Sequence, residues 1–308
     1  MIKGLGTGLN TGWTHSASPG EFPHFYVGVR SGFVFIPSSE RTFDVTALSL
    51  ENLSYVSGPI IAPTANGPDT DGPTMRITKL ANGTPYDMGE LTLPAGSGLN
   101  FAPAPVIQGA FGLRYNTTLL FRFVPKITVE DGSGYMNGIG LEHGLNQWLP
   151  AGISLPVDLS VMFGYTIIKG RIGLDVTPEN DPFVTNPYTM DTWGIQFIRS
   201  RTTAFTMNLI AGKRFSVFHV YGGFGYDKSK SSIKTIGNYP MNLPDPTTTD
   251  PFHERTDMVV NPIDFSVKSS EGMHLFAGTG IDMKVLKVFT EFTLSNYPII
   301  SFELGFGW

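Results

Sequence analysis

The chain of 308 residues contains no cysteine, which excludes disulfide frameworks, thiolate metal sites and cysteine nucleophiles. Charge is scarce as well. Asp, Glu, Lys and Arg make up 15% of the residues, against the ~25% usual in soluble globular domains. A formal net charge of −5 leaves no basic footprint for nucleic acid, so that class of partner is excluded. Long apolar runs are missing too: nothing approaches the ~18 apolar residues that a membrane-spanning helix requires. The opening Met1-Ile2-Lys3-Gly4-Leu5-Gly6 has no apolar core of the kind an export signal carries, so any such signal is expected to have been removed.

What the chain does have is period-two alternation. Side chains of a strand point alternately to its two faces, so a strand between lipid and a polar lumen alternates strictly. At the C-terminus Ile300, Phe302, Leu304, Phe306 and Trp308 share one face, and Ser301, Glu303, Gly305 and Gly307 share the other. Upstream, Leu286, Val288, Thr290, Phe292 and Leu294 oppose Lys287, Phe289, Glu291, Thr293 and Ser295. Met273, Leu275, Ala277, Thr279, Ile281 and Met283 oppose His274, Phe276, Gly278, Gly280 and Asp282. The same alternation runs through 205–226, 157–167, 107–123 and 25–35, and also through 42–47, where Phe43, Val45 and Ala47 oppose Thr42, Asp44 and Thr46. The polar faces are Gly, Ser, Thr and sparse charge, unlike the Lys- and Glu-rich surface of a protein in water. These features define an all-β, transmembrane antiparallel β-barrel forming a single domain over residues 1–308.

Parity sets the turns. Lys284-Val285 and Arg214-Phe215 are left as two-residue turns, and Asn116-Thr117-Thr118 as a three-residue one. Short turns mark the periplasmic side of such barrels and long loops the outside, which puts 170–200 and 229–271 outside as irregular, solvated structure. Eight strands are read from residue 104 onward and four more before it, giving about twelve, with eight to fourteen as alternatives. Segment 51–103 is faint, either an outer loop with one strand or a segment folded into the lumen. Leu141, Leu145 and Trp148 share a helical face, so a short helix is expected within 134–150.

The inward charges are the candidate functional groups: Arg30, Arg114, Arg122, His219, His274, Asp282, Lys287, Glu291 and Glu303. They form either an ion-pair network that closes the lumen or a constriction that selects solutes. His219 and His274 with Asp282, Glu291 and Glu303 offer a hydrolase-like set, but no spacing supports catalysis, and neither a metal site nor a cofactor is expected. Trp148, Trp193, Tyr165, Tyr226 and Trp308 fall near strand ends, as an aromatic girdle would.

The ending that carries Phe302, Leu304, Phe306 and Trp308 resembles the C-terminal signal that outer-membrane proteins present to their barrel-assembly machinery, and it implies a bacterial outer membrane with that machinery as a partner. Two stretches resemble an uncharacterised family of outer-membrane barrels from Bacteroidetes. One runs from Gly8-Leu9-Asn10-Thr11-Gly12-Trp13 through His24-Phe25-Tyr26-Val27-Gly28-Val29 to Ile36-Pro37-Ser38-Ser39-Glu40-Arg41-Thr42-Phe43. The other runs from Gly138-Ile139-Gly140-Leu141-Glu142-His143 to Leu155-Pro156-Val157-Asp158-Leu159-Ser160. The Gly-rich N-terminus is more distantly similar to the long-chain fatty-acid channel family, and that resemblance implies an N-terminal segment plugging the barrel. Three functions follow: passive transport of small or hydrophobic solutes, an accessory or plug subunit of a larger envelope assembly such as a secretion complex, and, far behind, an outer-membrane hydrolase. The first is favoured and the chain is read as no enzyme. Outer-membrane lipid, lipopolysaccharide and other envelope proteins are the expected partners.

Overall fold

A computed structural model describes residues 7–8, 10–48, 53–81, 84–150, 154–178, 184–248 and 253–308. Ten strands close into one antiparallel barrel: β1 Phe25–Phe35, β2 Phe101–Leu113, β3 Thr117–Val129, β4 Gly132–Gly144, β5 Asp158–Leu174, β6 Gln196–Phe215, β7 Phe218–Ile236, β8 Asp264–Met283, β9 Leu286–Leu294 and β10 Ile299–Gly307. Each pairs with its neighbour in sequence, and β10 returns to β1 with Arg30 opposite Glu303. Closure removes both sheet edges, as a bilayer demands, because lipid offers no hydrogen bonds to free backbone groups.

The strand count is ten rather than twelve, for two reasons. Only β1 comes from the first hundred residues, and β4 lies where a loop and helix were expected. The helix over 134–150 does not form; β4 ends at Gly144 and a single 3₁₀ turn, Asn146–Trp148, follows. In β4 the inward positions Gly134, Gly138 and Gly140 carry no side chain, so alternation is faint there and the helical spacing of Leu141, Leu145 and Trp148 stands out, although Leu141 belongs to the strand and Trp148 to the turn after it.

Two turns move along the chain without changing parity. Phe215 pairs with Phe218 across Ser216-Val217, and Leu113 pairs with Thr117 across Arg114-Tyr115-Asn116. The Lys284-Val285 turn stands as read, with Met283 opposite Leu286. All three turns lie at the barrel end that holds Trp308, here called the terminal end.

The far end carries the large connections, and their described residues form small sheets. Between β1 and β2, Thr42–Asp44 pairs with Ile61–Pro63, and Leu53–Ser57, Thr74–Ala81 and Thr84–Thr92 form a three-stranded sheet over a small core of Val45, Ala62 and Met75. This replaces the lumen segment considered within 51–103. It also cuts short the strand read over 42–47, because the Asp44 carboxylate accepts from the Thr46 amide (2.8 Å) and turns Val45–Ala47 into a 3₁₀ turn. Val184–Thr185, Asn238–Pro244 and Glu254–Val260 make a second three-stranded sheet. The described residues of 170–200 and 229–271 are therefore structured, with β5 and β6 extending into the first and β7 and β8 into the second.

Every strand turns apolar groups outward: exposed Val27 and Val29, Phe121 and Phe123, Ile139 and Leu141, Phe163, Met207 and Leu209, Phe224, Leu275, Phe292, Phe302 and Leu304, with half-buried Ile107 and Phe111 on β2. A continuous apolar belt of this kind is what a membrane-spanning barrel presents to lipid. Tyr165, Tyr226, Trp148 and Trp308 lie on this outer surface or at its terminal rim, but Trp193 does not join a girdle. It is buried in the far-end connection and packs edge-on against Tyr188.

Candidate functional site

The lumen is filled by residues that precede β1. Asn10, Thr11, Gly12, Trp13, Thr14 and Ala17 are buried inside the barrel, and Trp13 sits at the centre of the main apolar cluster with Leu120, Met162, Ile210, Tyr221 and Phe276. Its indole lies on a floor of glycines. A Cβ at Gly138, Gly140 or Gly164 would approach the ring to 2.9, 3.0 or 2.6 Å. Above it the Arg122 guanidinium stands 4.2 Å from the ring centroid, a stacked cation–π geometry. Gly12, at φ +63°, brings the backbone against Arg30; any side chain there would occupy the guanidinium's own position.

The inward charges hold this plug. Arg30 donates to the Gly12 carbonyl (2.9 Å), to Glu291 (3.1 Å) and to Ser301 (2.6 Å). Arg122 donates to the Thr11 carbonyl (2.7 Å) and to Gln108 Oε1 (3.0 Å). Glu303 accepts from Tyr26 (2.6 Å) and Gln108 (2.7 Å), and His15 of the plug lies 2.6 Å from it. Glu291 accepts a further bond from Tyr221 (3.1 Å). Buried ions are tolerated only where their remaining donors and acceptors are satisfied, and these are.

Of the nine inward candidates, Arg30, Arg122, Glu291 and Glu303 share this network. Lys287 and Asp282 face each other at 3.6 Å near the terminal end, where Arg214 also pairs with Asp282. His274 is buried 3.0 Å from Asp227. His219 is buried beside Phe289, and neither ring nitrogen has a hydrogen-bond partner among the described residues. Arg114 is not in the lumen: it lies exposed in the β2–β3 turn, which begins at Arg114 and not at Asn116 as expected. Of the five groups weighed as a hydrolase set, Glu291 and Glu303 meet at Arg30 while His219, His274 and Asp282 lie in separate contacts, and no metal-binding cluster occurs among the described residues. Trp13, Tyr26, Gln108 and Tyr221 were not singled out. The glycines facing into β4 and β5 were the available sign that something large fills that space.

At the terminal end a cavity of about 830 Å³ opens beside the plug, lined by His15, His24, Glu142, His219, Asp282 and Lys287 among others. Burial, and then the neighbouring Lys287 charge, hold the His24 imidazole below its usual pKa.

A second opening is in the wall. β2 and β3 are hydrogen-bonded only from Ile107↔Phe123 to Leu113↔Thr117. Beyond that point β2 follows β1 as far as Phe35↔Phe101, while β3 follows β4 as far as Val129↔Gly132 with a register shift after Val124. Among the described residues no ladder joins Phe101–Val106 to Val124–Val129. Pro103, Pro105 and Pro125 lie in this seam, and proline has no N–H to give to a ladder. Behind it is a cavity of about 440 Å³, walled by Val106, Val124, Ile127, Met136 and Ile168 and ending inside at Arg122 and Gly8 of the plug.

The family model named DUF6588, a family of unknown function, matches residues 1–308. The chain belongs to that family. No curated protein matches it. Among solved structures it is similar to the outer-membrane protease OmpT from Escherichia coli, at 9% identity and a TM-score of 0.33 over 94% of this chain and 96% of that one. It is also similar to the translocator domain of the autotransporter NalP from Neisseria meningitidis, at 13% identity and a TM-score of 0.28 over 100% of this chain and 92% of that one. Both are outer-membrane proteins, and at these scores neither likeness bears on what this family member does.

Proposed function

We propose that this DUF6588 barrel resides in the bacterial outer membrane, terminal end toward the periplasm, and passes small hydrophobic molecules through its wall instead of along its axis. The observation that carries the reading is the unpaired β2–β3 seam with the apolar cavity behind it. A polar solute would need an aqueous axial path, and Trp13 with its guanidinium clamp occupies that path. An apolar molecule dissolved in the membrane needs only a gap in the backbone ladder and apolar walls to receive it. The seam lies in the half of the wall away from the terminal end, so it opens toward the outer leaflet. The cavity then leads to the plug, whose other side faces the 830 Å³ vestibule.

The test fills the cavity. Cells whose outer membrane carries wild type or Val124→Trp as the sole copy are exposed to a neutral aromatic such as naphthalene, and entry is followed by fluorescence. Entry several-fold slower through Val124→Trp, with heat-modifiable migration unchanged, supports the seam as the route. Equal entry through a correctly folded Val124→Trp barrel would overturn it.

A further inference from the structure

β5 to β8 run well past the apolar belt, and their outward face changes character there. On β5 the outward positions Phe163, Tyr165 and Ile167 are followed by Lys169 and Arg171; on β6, Phe205 is preceded by Arg201 and Arg199. On β7, Phe224 and Tyr226 lead to Lys228, Lys230 and Lys234. A register shift after Ser229 lets Lys268 of β8 fall opposite Lys230 on the same face. The outward acids on this stretch are Asp264 and Glu271, which pair with Lys234 (2.7 Å) and Lys268 (3.4 Å); Asp227 points inward to His274. Eight cations against two acids thus share one face of a chain whose net charge is −5.

Like charges stand directly opposite one another here: Lys169↔Arg201, Arg171↔Arg199, Arg199↔Lys234 and Lys230↔Lys268. Such cross-strand pairs are destabilising unless an anion lies between them. Among the described residues, Lys169, Arg171, Arg199, Arg201 and Lys230 have no acidic partner. Three of these cations are set against rings: Arg171 lies 4.0 Å and Arg199 5.4 Å from the Phe197 ring, and Lys169 lies 5.7 Å from that of Tyr135. Lys228 stands opposite Phe205, and Lys169 and Arg201 lie four residues beyond Tyr165 and Phe205, about 13 Å along strands tilted by about 35–45°, so the row runs from the hydrocarbon edge to the outer side of the headgroup layer.

We propose that this face binds the phosphates of an anionic glycolipid in the outer leaflet, the acyl chains lying along the apolar belt below. The proposal rests on the outer-membrane reading above. Guanidinium forks take phosphate oxygens bidentately, and a row of them at one height suits a lipid carrying more than one phosphate. A soluble polyanion would gain nothing from the adjoining apolar belt, so the juxtaposition of belt and patch favours a lipid.

The purified barrel in neutral detergent is mixed with diphosphorylated lipid A or with its enzymatically dephosphorylated form, and bound lipid is counted by native mass spectrometry. Wild type should retain the phosphorylated lipid at least tenfold better, and retention should fall as salt rises. Lys169→Gln, Arg171→Gln, Arg199→Gln and Arg201→Gln combined should abolish the preference, while Lys169→Arg with Lys230→Arg, which keeps the charge, should retain it. Equal retention of both lipids, or a glutamine variant that matches wild type, would overturn the inference and leave the transport reading standing. So would inorganic polyphosphate displacing the lipid at equal phosphate concentration. A chain recovered from cells only in the soluble fraction would sink both readings together.

Discussion

At the scale of single residues, the lumen shows how a barrel uses scarce charge. Arg30 reaches Glu291, Ser301 and the plug carbonyl of Gly12 from one buried position. Replacing it by Met leaves Glu291 buried with only hydroxyl donors, Tyr221 and Thr293. Removing one member of a buried ion pair costs about 3–5 kcal/mol, whereas removing both costs far less. Arg30→Met is therefore expected to lower the heat-unfolding midpoint of the solubilised barrel sharply, and Arg30→Met with Glu291→Gln to recover most of the loss. If the double variant is no better than the single one, the guanidinium's bond to Gly12 matters more than its carboxylate partner.

At the scale of elements, one strand plays two parts along its length. β7 and β8 face lipid tails through Phe224 and Leu275, then turn Lys230 and Lys268 outward over the hydrated headgroups. An arginine on the lipid face near the midplane costs about 2–4 kcal/mol, and one on a hydrated surface stays within about 0.5 kcal/mol. Leu275→Arg should thus weaken folding into vesicles by the larger amount and Val260→Arg, on the exposed sheet beyond the barrel, by the smaller, both read from urea unfolding in bilayers. Comparable penalties would place the upper edge of the belt farther out than Tyr165 and Phe205 indicate.

At the scale of the molecule, the barrel is closed along its axis and open in its side. The glycine-lined faces of β4 and β5 hold Trp13 instead of water, and the charges expected to tune a pore clamp the plug. Wild type in planar bilayers should accordingly be silent, and a chain lacking residues 7–18 should conduct. Trp13→Ala serves if that deletion fails to assemble: intermittent openings are expected once the anchor is gone. Steady conduction by wild type would show that the plug leaves the lumen during normal function.

How much of this was written in the sequence follows from one geometrical rule. Wherever one face met lipid and the other did not, alternation was complete, and the all-β barrel, the Met283–Leu286 hairpin and the inward placement of Arg30, Arg122, His219, His274, Glu291 and Glu303 could be read directly. The rule lost its signal where both faces are alike. Ser231, Ser232 and Lys234 continue β7 above the membrane with polar groups on both sides, and Gly138 and Gly140 leave one face of β4 blank, so strands there read as loop or helix. The plug, the β2–β3 seam and the basic face belong to the tertiary structure alone. Trp13 finds its floor on β4 and β5, far along the chain, and a missing ladder between two good strands depends on how their partners β1 and β4 pull them apart. Periodicity reports what each residue faces; only the closed barrel determines which residues face one another.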